Sequence, residues 1–140
     1  MAAKITNKRP EIKPMWVLGG QYKIMRCNLL RKFHEVKHGF IYDVVIKYRA
    51  DLTINKVPPI EKTDCIVQPI GHDSIGQHDI FGWGPTHFMD CWLDLFSYLQ
   101  WYIEDGVLFH PEYLLKHHLK NVPIKRIPFE LWLRGEKVCG

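Results

Sequence analysis

Between Thr86 and Asp105 the chain places Phe88, Met89, Cys91, Trp92, Leu93, Leu95, Phe96, Tyr98, Leu99, Trp101, Tyr102 and Ile103. On a helix of 3.6 residues per turn these positions cover most of the circumference, and Asp90, Asp94, Ser97 and Glu104 share one narrow stripe. A helix that apolar is buried on more than one side. The segment therefore predicts a mostly buried helix with Thr86 as its N-cap, Asp90 near the positive end of its dipole and Gly106 as a left-handed stop. A shorter helix is predicted over Pro111–Asn121, with proline in its first turn.

The second organising pattern has a period of two. From Phe40 to Ile54 the even positions Phe40, Tyr42, Val44, Ile46, Tyr48, Ala50, Leu52 and Ile54 are apolar, while Asp43, Lys47, Arg49, Asp51 and Thr53 fall between them. That alternation predicts a strand with its even side chains in the core and one wet face, hence an antiparallel sheet. Gln21–Phe33 reads as an earlier strand joined to it by a hairpin at His38-Gly39. Pro58-Pro59 ends the long strand, Asp64–Ile70 supplies a third and Phe129–Arg134 a last one. The expected fold class is α+β: an antiparallel sheet of about four strands, with one long buried helix and one shorter helix packed on one face. Residues 1–20, broken by Pro10 and Pro14 and closed by Gly19-Gly20, are expected to form an N-terminal arm to a single domain over 21–140.

The 140 residues suffice for one core, and five Trp, six Tyr and seven Phe supply it generously. The chain has no apolar run of membrane-spanning length, and its basic N-terminus lacks the apolar stretch of a cleaved signal. The expectation is a cytoplasmic protein without membrane contact. Cys27, Cys65, Cys91 and Cys139 are scattered without a C-x-x-C pair and read as reduced thiols. Charge is uneven: residues 1–70 hold 13 Lys/Arg against 6 Asp/Glu, and residues 71–140 hold 6 against 9. A basic half suits an acidic partner or nucleic acid.

The candidate partner-binding residues are accordingly Lys23, Arg26, Arg31, Lys32, Lys47 and Arg49 on the first hairpin, with Trp83 as a core anchor or an exposed contact. Eight histidines raise the question of metal. His72, His78, His87 and Cys91 are the candidate ligands, since His87 and Cys91 lie one helical turn apart. Their spacing matches no established zinc pattern, so no metal and no other cofactor is expected. A Cys–His nucleophile pair has no local signature to select it, and no phosphate-binding glycine fingerprint occurs.

Asp64-Cys65-Ile66-Val67-Gln68-Pro69-Ile70-Gly71, then Phe81-Gly82-Trp83-Gly84-Pro85 and the apolar helix, resembles a small uncharacterised bacterial α+β domain family. Its pattern is a C-P-x-Q-I-x-G strand, a glycine turn and a helix opening near Q-A-L. Cys65, Gln68, Gly71 and Gly82 fall on matching positions. Ile66, Gly84 and His87 replace the usual Pro, Asp and Gln, and Phe88 replaces a small residue. The match spans about a third of the chain, and some members are similar to immunity proteins of interbacterial toxin systems. The resemblance implies a non-enzymatic protein that binds and neutralises a protein partner and carries no catalytic residue across. The alternatives are a nucleic-acid-associated or viral accessory protein using the basic hairpin, and a small metal-dependent enzyme.

Overall fold

A computed structural model describes residues 12–71, 76–128 and 130–139, without the side chains of 138 and 139. The chain opens with a 25-residue helix, α1 (Pro14–His38), followed by two short strands, β1 (Val44–Lys47) and β2 (Leu52–Ile54). Then come β3 (Ile66–Pro69), β4 (Gly82–Pro85) and α2 (Thr86–Leu93). A 3₁₀ turn over Leu95–Tyr98 leads into α3 (Leu99–Glu104), and α4 (Pro111–His118) follows. The chain finishes with β5 (Ile124–Ile127), β6 (Leu131–Leu133) and β7 (Glu136–Cys139). The α+β class holds, but the main sheet, ordered β1-β4-β3-β5, is mixed: β3 and β5 run parallel while the other pairs are antiparallel. A second, antiparallel sheet has the order β2-β6-β7.

The largest departure from the sequence reading is α1. The predicted strand Gln21–Phe33 is helix, and Gly19-Gly20 lies inside that helix instead of closing an arm. His38-Gly39 is its C-terminus, not a hairpin turn. Gly39 takes φ 68°, and its N–H and that of Phe40 both reach the Glu35 carbonyl. Only a residue without Cβ adopts that left-handed geometry freely.

The long alternating strand is also divided. β1 and β2 belong to different sheets, and between them the buried parity changes. Val45 and Lys47 are buried in β1, whereas Leu52 is buried in β2. The even residues Tyr42, Ile46 and Tyr48, expected in the core, are exposed. A break of four residues between strands lets each fragment present its own face inward, so one period of two need not describe one strand.

β3 is buried along its whole length because both its faces are covered. Ile66 joins Val17, Val45, Met89, Trp92, Leu93, Leu95, Leu99 and the α4 residues Leu114 and Leu115 in a helix-side core. Val67 and Trp83 join Leu52, Ile80, Phe81 and Leu131 in a second core toward the small sheet. The predicted helix over Thr86–Asp105 is three consecutive helical segments, of which Met89, Trp92, Leu93, Leu95 and Leu99 are buried while Trp101 is exposed. Pro85, not Thr86, occupies the N-cap position; the Thr86 hydroxyl instead donates to the Tyr42 carbonyl. Gly106, at φ 76°, ends the run as expected, its N–H bonded to Ile103 O.

Candidate functional site

The second half of helix α1 is arranged inside out. Residues 28, 31 and 35 share the face turned to α2, and all three are polar. Asn28 Nδ2 donates to Asp90 Oδ1 at 3.1 Å, Arg31 Nε to Asn28 Oδ1 at 3.0 Å and Arg31 Nη1 to Glu35 Oε1 at 2.6 Å. Arg31 Nη2 completes the network on Asp90, and Lys32 Nζ stands 3.4 Å from the other Asp90 oxygen. Glu35 also accepts the Tyr42 N–H at 2.9 Å. The side away from the body is the greasy one: Leu30, Phe33 and Val36 are 69%, 67% and 82% exposed, and Met15, Trp16 and Leu29 are exposed with them. Lys23, Arg26 and Lys37 are exposed on this helix, and Glu35, its only acidic residue, is buried inside.

Beside α1 runs a groove of about 770 Å³, walled by Val17, Ile24, Val45 and Leu93 and carrying Lys23, Arg31, Lys47 and Arg49. The structure therefore gathers four of the six predicted basic residues in one concavity, though on a helix, a strand and the segment after it rather than on a hairpin. Arg31 is committed to the α1–α2 network, and Arg49 holds Asp51 at 2.8 Å. Lys47 is buried in β1; its ammonium donates to the Asp79 carbonyl and stands 5.5 Å from the Trp92 ring centroid. Burial pulls its pKa down to about 8, against the opposing pull of Asp79. Arg26 faces solvent away from the groove, and Lys32 lines a shallow depression with Val36, Phe40 and Thr86. Trp83 is 3% exposed and packs edge-on against Phe81 within the second core, so it offers no surface to a partner.

The candidate metal ligands do not converge. His78 is fully buried: its Nε2 accepts the Phe81 N–H at 3.2 Å, so Nδ1 carries the proton toward Gly71 O, also at 3.2 Å. His87 is exposed against Phe88. Cys91 lies part-buried on the next turn, and His72 lies outside the described residues. Among the described residues no group of three His, Cys, Asp or Glu side chains is placed to hold an ion.

One Cys–His pair is brought together that spacing did not select. His118 Nε2 lies 4.0 Å from Cys91 Sγ, but it is already bonded to the Cys91 carbonyl at 2.6 Å. A carbonyl only accepts, so Nε2 carries the hydrogen, and Nδ1 accepts from the Tyr102 hydroxyl at 2.7 Å. His118 therefore has no free lone pair to take the thiol proton. Burial, with Asp94 nearby, also raises the Cys91 pKa, and burial lowers that of His118. This cluster is a structural joint between α2, α3 and α4. Cys27, Cys65 and Cys91 carry free thiols. No helix of the described residues is long and apolar enough to cross a membrane.

The segment that carries the family resemblance folds as strand, loop, strand and helix, with Gly82–Pro85 a buried strand rather than a turn. No family model, curated protein or solved structure matches the chain.

Proposed function

We propose that this chain is a non-enzymatic binding protein that captures and neutralises an acidic protein partner, in the manner of a bacterial immunity protein. One observation carries the reading: the second half of α1 turns Asn28, Arg31 and Glu35 inward and Leu30, Phe33 and Val36 outward. Exposed apolar side chains grouped on one helix face favour an interface, where burial of each large side chain contributes about 1.5–3 kcal/mol. The charge around them selects the occupant. Lys23, Arg26 and Lys37 are exposed on the helix while its one carboxylate is buried, so an acidic amphipathic surface is complementary. A second copy would set cation against cation. The neutralising role rests on the resemblance at Asp64–Ile103.

The test is calorimetric titration of this protein with the purified product of the reading frame directly upstream of its gene. Saturable binding that weakens with salt, and weakens at least about tenfold in Phe33→Asp and in Arg26→Glu, is the expected result. Both positions are solvent-facing, so circular dichroism of the variants should match the parent. Absence of binding, or equal binding by both variants, overturns the proposal. Salt-sensitive association with RNA or DNA in place of the protein would assign the basic face to nucleic acid instead.

A further inference from the structure

The outward residues of α1 follow a spacing of their own. Met15, Tyr22, Leu29 and Val36 stand seven apart, and Gly19, Arg26 and Phe33 fall between them at alternating steps of four and three. That is the a/d spacing of a coiled-coil seam, with Gly19, Arg26 and Phe33 at a and the other four at d. All four d residues are exposed, as are Arg26 and Phe33; Tyr22 leans edge-on against Phe96 at 5.3 Å. The f positions opposite hold Val17, Ile24 and Arg31, which face the body of the protein, so the seam points away from the core. A seven-residue stripe drifts by about 20° per heptad around a straight helix. A second helix wound left-handed about α1 follows such a stripe from end to end, whereas a flat surface meets only part of it.

We propose that α1 is one half of a two-helix coiled coil, completed by an acidic helix of the protein partner laid along Met15–Val36. The proposal rests on the reading of this face as an interface and names the element that covers it. The flanking positions choose that element. Lys23 and Lys37 lie at e, exposed, and Lys32 at g, while Glu35, the only carboxylate of α1, lies at c and is buried. Pairs between e and g positions set partner and orientation, so glutamates belong across from Lys23 and Lys37. Arg26 is the single cation at an a position and fixes the register, because an acidic residue of the partner must meet it. A second copy fits badly. In a parallel pair Lys32 would face Lys37, and Arg26 would face its own counterpart.

The probe is a synthetic peptide about four heptads long, with leucine at a and d, glutamate at e and g, and one aspartate at the a position opposite Arg26. Its own glutamates keep it from pairing with itself. The control peptide carries lysine at e and g. Calorimetric titration of the full chain should show one-to-one binding of the acidic peptide, at least about tenfold tighter than the basic one. Circular dichroism should show a gain of helix on mixing. Val36→Asp should weaken the acidic peptide at least about tenfold, and the pair Lys23→Glu and Lys37→Glu should reverse the preference between the peptides. These positions are exposed, so the variants should keep the parent's dichroism. No binding, equal affinity for the two peptides, or undiminished binding of an acidic peptide with a central proline would overturn the proposal. So would a dimer of this chain that Val36→Asp dissociates. Capture of the upstream gene product without peptide binding would remove the helical occupant alone. Peptide binding without that capture would support the seam and overturn the neutralising role.

Discussion

Lys47 lies directly across the β1–β4 ladder from Gly82, and the space a side chain at 82 would need is filled by the Trp92 ring. A Cβ built on Gly82 would stand 2.6 Å from the edge of that ring and 2.8 Å from the Val67 carbonyl. The lysine's ammonium sits over the same indole. Strand pairing, helix docking and the floor of the groove therefore meet at one glycine.

Gly82→Ala should accordingly be among the most damaging small substitutions in the protein. Neither the indole, buried in the helix-side core, nor the backbone carbonyl can retreat, so overpacking of about 2–3 kcal/mol is expected. Urea denaturation of the variant checks this. A midpoint equal to the wild type would show that Trp92 has room to move.

Lys47→Met should stabilise the fold. The folded-state pKa of Lys47, about 8, lies below that of a free lysine, so the unfolded chain binds the extra proton. The penalty is fully present below pH 8 and disappears as pH rises toward 10.5. The variant should therefore gain about 1–3 kcal/mol at pH 7, with the gain shrinking at pH 9–10. Denaturant midpoints measured at those pH values decide it, and a destabilised variant at pH 7 would contradict the desolvation account.

His118 gives the opposite end of the pH range a signature. Its folded pKa is lowered, chiefly by burial, so the folded state favours the neutral ring that bonds Cys91 O and Tyr102. Its contribution is present above the unfolded pKa, about 6.5, and is lost as pH falls below it. The wild type should lose melting temperature from pH 7 to pH 5 more steeply than His118→Gln. Parallel slopes would show that another group carries the acid sensitivity.

The network on α1 should be strongly non-additive. Arg31→Ala leaves Glu35 buried without its cation, a situation that typically costs about 3–5 kcal/mol. Glu35→Ala in the same background should restore part of that loss. A double-mutant cycle reads the coupling directly; additive single effects would mean that Arg31 and Glu35 do not sense each other.

These relationships show why some of the fold was legible in the sequence and some was not. The Thr86–Asp105 run could be read because its core-facing residues are apolar, as the usual pattern assumes. Helix α1 could not, because Asn28, Arg31 and Glu35 are inside and Leu30 and Phe33 outside. The ordinary rule assigns that pattern the wrong face, and Gly19-Gly20 reads as a break. The period of two over Phe40–Ile54 was real, yet tertiary pairing divided it between two sheets with opposite buried parity. β4, β5 and β7 were missed: Gly82–Pro85 reads as a turn, Ile124–Ile127 has two basic residues in four, and Glu136–Cys139 opens on two charged residues. The basic candidates were found by residue type, but which of them are free is a matter of partners. Arg31 on α1 is taken by Glu35 and Asp90, and Lys47 on β1 is buried against the Asp79 carbonyl and Trp92. The Cys91–His118 joint spans 27 residues and has no local signal.

Helix α1 is thus anchored by two different forces along its length. Val17, Leu18 and Ile24 hold its first half by apolar contact, and Asn28, Arg31 and Glu35 hold its second half by charge and hydrogen bonds. Arg31 and Glu35 are only 13% and 8% exposed, so dissolved salt screens their pairing weakly, and the Leu29–His38 half that bears Phe33 and Val36 stays docked at high ionic strength along with the apolar half.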